Sequence, residues 1–117
     1  GEAPVVVPEP KRTEPTLVLP SVVEGMKISG EEQLHPPVAV KSMIARDGKQ
    51  RVAASVKVCV DERGAPASVS LVKGTGYPGY DDVLMSGVRT WRYRPHVVAG
   101  RPIPVCAVVQ FVYRFAN

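Results

Sequence analysis

The residues best suited to chemistry in this chain are two histidines and two cysteines, His35, His96, Cys59 and Cys106. A zinc site needs ligands at short, characteristic spacings, and no two of these four residues lie that close together in sequence. Nucleophilic catalysis needs a base beside a serine or cysteine, and each histidine instead adjoins a proline in a segment without strand or helix periodicity. We interpret both histidines as turn or surface residues and expect no metal site.

The paired carboxylates have simpler interpretations than acid–base catalysis. Asp61-Glu62 begin a turn sequence, and Asp81-Asp82 fall in the first turn of a predicted helix, where negative charge suits the helix dipole. The glycine-rich segment Gly74-Thr75-Gly76 lacks the third glycine and the Lys-Ser/Thr pair of a phosphate-binding loop. We therefore expect no cofactor and no catalytic residue, and a protein that is not an enzyme.

The basic composition does not define a ligand by itself. The net charge of +4 and the pI near 9.3 would suit nucleic acid, a membrane surface or an acidic partner. Lysine and arginine are scattered, however, and no RNA-binding signature is present, so the surplus is consistent with keeping a small domain soluble. We expect no nucleic-acid partner. Weak binding of an anionic polymer stays a further hypothesis, through Arg89, Arg92, Arg94 and Arg101.

Length and proline distribution predict one domain preceded by a linker. Five of the twelve prolines lie in residues 1–20, and proline fixes φ and removes an amide donor, so this segment is predicted to be an extended spacer. We divide the chain into a linker, residues 1–21, and a domain, residues 22–117. Aromatic residues make up only 6% of the chain, which leaves the single tryptophan, Trp91, as the expected core anchor.

Periodicity within the domain predicts an α+β fold with a three-stranded sheet packed against two helices. Apolar residues recur at helical spacing in residues 38–46 and 80–91, and they alternate with period two in residues 51–61, 67–73 and 105–115. The first two strands form a hairpin, and a crossover through the second helix makes the third strand antiparallel to the first, which gives the sheet order 2-1-3. Residues 22–29 are a candidate for an extra N-terminal strand.

The cysteines offer a check on this topology. If Cys59 in the first strand stands opposite Cys106 in the third, antiparallel pairing opposes apolar residues throughout: Val58 with Ala107, Val56 with Val109, Ala54 with Phe111 and Val52 with Tyr113. Directly opposed residues have Cα atoms about 4.5–5.5 Å apart, a distance that a disulfide tolerates. The pattern favours a Cys59–Cys106 disulfide and an oxidising compartment. Two unpaired, half-buried thiols are the alternative.

From Leu34 onward the sequence resembles the C-terminal domain of the TonB family of envelope energy transducers. The matching segments are His35-Pro36-Pro37, Asp81-Asp82, Val88-Arg89-Thr90-Trp91-Arg92-Tyr93-Arg94-Pro95, Gly100-Arg101-Pro102-Ile103-Pro104 and Phe111-Val112-Tyr113. The Trp-Arg-Tyr-x-Pro segment followed by Gly-x-Pro and an apolar strand is the most specific of these. The chain departs from the family in having His35 where Tyr usually precedes the proline, and in its cysteine pair.

The resemblance implies a periplasmic domain that is held by an inner-membrane anchor outside this sequence. Such a domain is coupled to a proton-driven motor of the ExbB–ExbD type and captures the TonB box of an outer-membrane receptor. In the order 2-1-3 the third strand is an edge, and its free main-chain groups could accept an extended peptide by strand addition. The residues expected to contact a partner are Val105, Cys106, Val108, Gln110, Val112 and Arg114.

Several alternatives to this interpretation stay open. Residues 22–29 could cover it permanently, or they could occupy it as a displaceable mimic of the partner. The edge could also pair two copies of the domain into a homodimer. Finally, the same fold could serve as a structural tether in another envelope machine, such as a motility or secretion apparatus.

Overall fold

A computed structural model of the chain describes residues 14–115, so most of the predicted linker lies outside the described range. Within it the fold is mixed, with three helices and several strands. The helices are α1 (Pro20–Met26), α2 (Val38–Arg46) and α3 (Pro78–Arg89). The strands are β1 (Thr16–Leu17), β2 (Lys27–Ser29), β3 (Arg51–Val60), β4 (Pro66–Lys73), β5 (Arg92–Tyr93), β6 (His96–Val98), β7 (Arg101–Ile103) and β8 (Val105–Arg114).

The main sheet has the order β1-β8-β3-β4. The predicted order of the three long strands is confirmed, because β3 lies between β4 and β8 and is antiparallel to both. The predicted register is confirmed as well: Cys59 pairs with Cys106, Val58 with Ala107, Val56 with Val109, Ala54 with Phe111 and Val52 with Tyr113. A fourth strand, β1, joins the other side of β8 in parallel.

The inner face of the sheet is buried by all three helices. On β3 the alternating valines and Ala54 are buried while the residues between them are not, as expected for a strand with one face on the core. The last two helices bury residues that are four positions apart: Val40 and Ile44 in α2, and Tyr80, Leu84 and Val88 in α3. These side chains form two adjoining hydrophobic clusters with the inner faces of β3 and β8 and with α1 and the segment that follows α3.

Trp91, the residue expected to anchor the core, is buried, with 5% of its surface exposed. It follows α3 instead of lying within it, since that helix ends at Arg89 with Thr90 as its C-cap. Its ring contacts Phe111 of β8, with ring centroids 6.0 Å apart. The tryptophan therefore connects the end of α3 to the inner face of the sheet.

The prediction of a strand at residues 22–29 is wrong for most of that range. Residues up to Met26 belong to α1, and only Lys27–Ser29 form a strand, which pairs with β5 and not with β8. The helix forms because Pro20 suits a first helical turn and because Val23 and Met26, three residues apart, are buried on one side of it.

The strand that does pair with the outer side of β8 lies within the range predicted as linker. Thr16 pairs with Val105 and Leu17 with Cys106. The Thr16 amide donates to the Pro104 carbonyl at 3.1 Å, and the Val18 amide donates to the Cys106 carbonyl at 2.8 Å. Beyond this point the chain leaves the strand edge and enters α1.

The Cys59–Cys106 disulfide is present, and its Cα atoms are 4.0 Å apart. It joins β3 to β8 across 47 residues of sequence, which include β4 and α3. Closing a loop of this length removes conformational entropy from the unfolded chain. The bond therefore stabilises the strand pair on which the sheet is built.

We expect the Cys59→Ala/Cys106→Ala variant to lose about 2–4 kcal/mol of unfolding free energy, because its unfolded chain is no longer constrained. Urea unfolding measures this loss. The wild-type protein should show a similar loss of unfolding free energy in dithiothreitol. Its intact mass under non-reducing conditions should be lower than the mass of the reduced protein by two hydrogen atoms. Equal stability with and without reductant would contradict the prediction.

Candidate functional site

The outer edge of β8 carries a row of unpaired main-chain groups. Successive residues of a strand direct their N–H and C=O groups to opposite sides, and the Cys106 carbonyl accepts from Val18 on the β1 side. Alternate residues after Cys106 therefore face the same way: Val108, Gln110, Val112 and Arg114. Among the described residues, no strand pairs with this part of β8, because β1 reaches only to Cys106.

A groove of 360 Å³ lies beside this unpaired segment. One wall is formed by α1 and by residues 32–33, and the other by residues 109–112 of β8. Trp91, Tyr93 and Phe111 contribute aromatic surface to it. The groove and the free edge therefore share the same residues of β8, which places side-chain contacts next to main-chain contacts.

Lys27 is the main charged group held inside the groove. Its ammonium lies 3.8 Å from the centroid of the Trp91 ring and 3.0 Å from Oε1 of Glu32. The lysine side chain is 9% exposed and the glutamate side chain 64% exposed. Since Glu24 also lines the groove, the lining holds more negative than positive charge. A cation above an aromatic face gains stabilisation that increases as water is excluded.

Trp91 also positions the wall opposite β8. Its indole N–H donates to the Glu31 carbonyl at 3.0 Å, a contact between residues 60 positions apart. Gly30, with a φ of 141°, passes so close to the ring that a Cβ at this position would overlap it. The segment carrying Glu32 therefore depends both on the tryptophan and on a glycine beneath it.

Tyr93 brings a buried hydroxyl to the groove. Only 4% of the residue is exposed, and its oxygen has no hydrogen-bond partner among the described residues. Burial raises the pKa of Tyr93 to about 12, because the apolar surroundings disfavour the phenolate. An unpartnered buried hydroxyl costs free energy, so this group does not contribute to stability through its oxygen.

Four of the six residues predicted to contact a partner lie on the free edge: Val108, Gln110, Val112 and Arg114. The other two are occupied within the chain. Val105 is fully buried and pairs with Thr16, and Cys106 is 4% exposed, disulfide-bonded and paired with Leu17.

The groove was not predicted from the sequence. Its residues from α1 and from the following loop sit next to β8 only through tertiary packing. The one local sequence signal for α1 was the combination of Pro20 with Val23 and Met26 at helical spacing.

The other candidates for chemistry are dispersed. His35 contacts the edge of the Tyr113 ring at 5.5 Å between centroids, and His96 begins β6. Asp61 accepts amide hydrogen bonds from Arg63 and Ala65 in the β3–β4 turn, as a turn residue should. In residues 14–115 no cluster of histidine, cysteine and acidic side chains could hold a metal ion.

The remaining acidic and basic groups have structural or solvent-facing positions. Asp81 is buried and accepts from both the amide and the hydroxyl of Thr75, at 2.8 and 2.7 Å, which fixes the turn before α3. The four arginines proposed for an anionic polymer are all exposed: Arg89, Arg92, Arg94 and Arg101. None of the helices in the described part of the chain has the length and apolar character needed to span a bilayer.

No protein-family model matches this chain, and no curated protein sequence matches it. Function therefore has to be inferred from the free edge of β8 and from the groove beside it.

The Tyr93→Phe variant should be more stable than wild type by about 1 kcal/mol at neutral pH, because it removes a buried hydroxyl that has no partner. The difference should widen above pH 10. The unfolded tyrosine ionises near its ordinary value of 10.0, so wild-type stability is complete below that pH and falls as the pH rises toward the pKa of the folded state.

Urea unfolding at neutral and alkaline pH measures both effects. Tyr77→Phe is a matched control, because the Tyr77 hydroxyl donates to Oδ2 of Asp47 at 2.6 Å and its removal should lower stability. If Tyr93→Phe destabilises the protein as much as Tyr77→Phe does, the Tyr93 hydroxyl has a partner in solution.

Proposed function

We propose that this domain captures an extended peptide by strand addition to the free edge of β8, and that it works as the periplasmic domain of a TonB-like energy transducer. The observation that carries the proposal is that the unpaired main-chain groups of residues 108–114 lie beside a groove lined by residues 109–112 of the same strand. Main-chain pairing gives affinity that is independent of sequence, and pockets for alternate side chains give selectivity.

The strand that carries this edge is already ordered before a peptide binds. β8 is paired with β3 along its whole length and tied to it by the disulfide, so little order has to be gained on binding. A peptide strand beside β8 would direct alternate side chains toward the groove and toward the outer face of the sheet. On that outer face Val112 is 45% exposed and can contact the peptide.

The fold supports the family resemblance in outline. A hairpin, a helical crossover and a long C-terminal strand that is free on its outer side beyond Cys106 follow one another in the chain. The disulfide favours an oxidising compartment such as the periplasm. In this proposal the partner is a TonB-box-like peptide of an outer-membrane receptor, and an N-terminal anchor outside this sequence couples the domain to an ExbB–ExbD-type motor.

A structural tether in another envelope machine is the second candidate. One observation favours it: the chain itself occupies the start of the edge, where β1 pairs with Val105 and Cys106. In a tether, β1 and α1 would be a permanent part of the scaffold, and the edge beyond Cys106 would bind no peptide strand. Peptide binding to the remaining edge distinguishes the two candidates.

The Gln110→Pro variant should bind a TonB-box-like peptide at least about tenfold more weakly than wild type. Proline removes one amide donor and places its ring on the free edge, and the loss of about 1.4 kcal/mol corresponds to a factor of ten. The variant should still fold, because the Gln110 amide faces away from β3 and proline is tolerated at such edge positions. Titration calorimetry measures the affinity.

Leu71→Pro is the matched control, since it places the same ring on the opposite edge of the sheet, in β4. It should leave peptide binding unchanged. Peptide affinity should also depend only weakly on salt, whereas a polyanion bound by the exposed arginines would be released steeply as salt rises. Equal losses in both proline variants, or a steep salt dependence, would rule out strand addition at β8.

A further inference from the structure

The groove beside β8 contains two carboxylates and one ammonium group. Lys27 lies against the Trp91 ring and pairs with Glu32 at 3.0 Å. Glu24, on α1, lines the same groove, and no cationic side chain within residues 14–115 pairs with it. The lining therefore holds one carboxylate that has no counter-ion from the described part of the chain.

Aromatic surface surrounds these charges. Trp91, Tyr93 and Phe111 all line the groove, and the Trp91 ring already lies 3.8 Å from one cation, the ammonium of Lys27. The chain itself thus holds a cation here between an aromatic ring and a carboxylate. A guanidinium suits such surroundings best, because it is planar, is weakly hydrated, stacks on aromatic faces and donates to carboxylates.

The hydroxyl of Tyr93 is a further unused group of the groove, and it is independent of charge. Its oxygen is buried and has no hydrogen-bond partner among the described residues. A donor supplied by a bound molecule would remove the cost of leaving this oxygen unpaired. A guanidinium carries five N–H donors, so it can serve a carboxylate and a hydroxyl oxygen at the same time.

The strand geometry shows which residues of a bound peptide reach the groove. Val109 and Phe111 of β8 pack against the cluster that contains Trp91, so their side chains lie on the inner face of the sheet. Directly opposed residues of neighbouring strands share a face. A peptide residue opposite Val109 or Phe111 therefore directs its side chain toward the groove. The residues on either side of it face outward, on the face to which Arg114 belongs.

We propose that the peptide captured at β8 carries an arginine at a groove-facing position, with its guanidinium paired to Glu24 and stacked on the aromatic lining. This inference rests on the proposed strand addition and adds the chemistry of the partner to it. A glutamate at the same peptide position would meet Glu24 and Glu32 without a counter-ion of its own. Lysine has the charge of arginine but lacks the planar group that stacks on aromatic faces.

Three blocked heptapeptides test the proposal. Each has the sequence Thr-Val-Thr-X-Thr-Val-Thr, whose residues favour a strand, and X is arginine, citrulline or glutamate. Citrulline keeps the length and shape of arginine and several of its N–H donors but carries no charge. Trp91 is the only tryptophan of the chain and lines the groove, so its fluorescence measures binding. The arginine peptide should bind at least about fivefold more tightly than the citrulline peptide, and the glutamate peptide should bind most weakly.

Three variants assign this preference to groups in the groove. Glu24→Gln should bind the arginine and citrulline peptides with affinities within about twofold of each other, and the fold should be intact because Glu24 is exposed. Asp82→Asn is the charge-matched control. It removes an exposed carboxylate near the start of α3, whereas Trp91 follows the end of that helix, and it should keep the wild-type preference. Tyr93→Phe should weaken the arginine and citrulline peptides alike.

The outcomes separate this inference from the proposed function. Equal binding of the arginine and citrulline peptides to wild type would overturn the arginine preference and leave strand addition in place. The preference would also be overturned if Glu24→Gln retained it or if Asp82→Asn lost it. Gln110→Pro should weaken all three peptides by a similar factor. If no peptide bound to wild type, or if Gln110→Pro bound them all as wild type does, strand addition at β8 and the arginine preference would both be wrong.

Discussion

The antiparallel pairing of β3 with β8 is the contact on which the rest of the structure depends. It joins two strands that are separated in sequence by a hairpin partner and a helix, and the disulfide holds it at Cys59 and Cys106. A shift of one residue would turn the buried valines of β3 to solvent. The same register decides which main-chain groups of β8 and β4 point outward, so both free edges follow from this one pairing.

The sequence was sufficient for this pairing because its signals are local and repeated. Alternating valines define each strand and its buried face, and the opposed cysteines select one register. The N-terminal part lacked such signals. The valines of residues 22–26 are β-branched and suggest a strand, yet the segment is helical because Val23 and Met26 are buried by contacts with the rest of the fold. β1 has only two residues, both exposed, and no pattern distinguishes it from the predicted linker.

The candidate site could likewise be predicted from the sequence only in part. The edge of β8 could be predicted, since it follows from strand order. The groove could not, because its charged wall is placed by Trp91, which bonds to Glu31 across 60 residues of sequence, and by Gly30, whose close approach to the ring no local pattern indicates. Lys27 acquires its surroundings from three separate segments: its own strand, the tryptophan and Glu32.

The two edges of the sheet differ in what each can select. β1 occupies the start of the β8 edge, and Arg114 places a charge at its end, so a second copy would gain only a short paired segment there. A peptide that also places side chains in the adjacent groove gains contacts that a second β8 strand does not supply. The β4 edge differs in that residues 65–72 carry no charged side chain and no strand within residues 14–115 pairs with its outer side. Its pairing with β3 shifts register at both ends, and irregularities of this kind protect an edge from further strands.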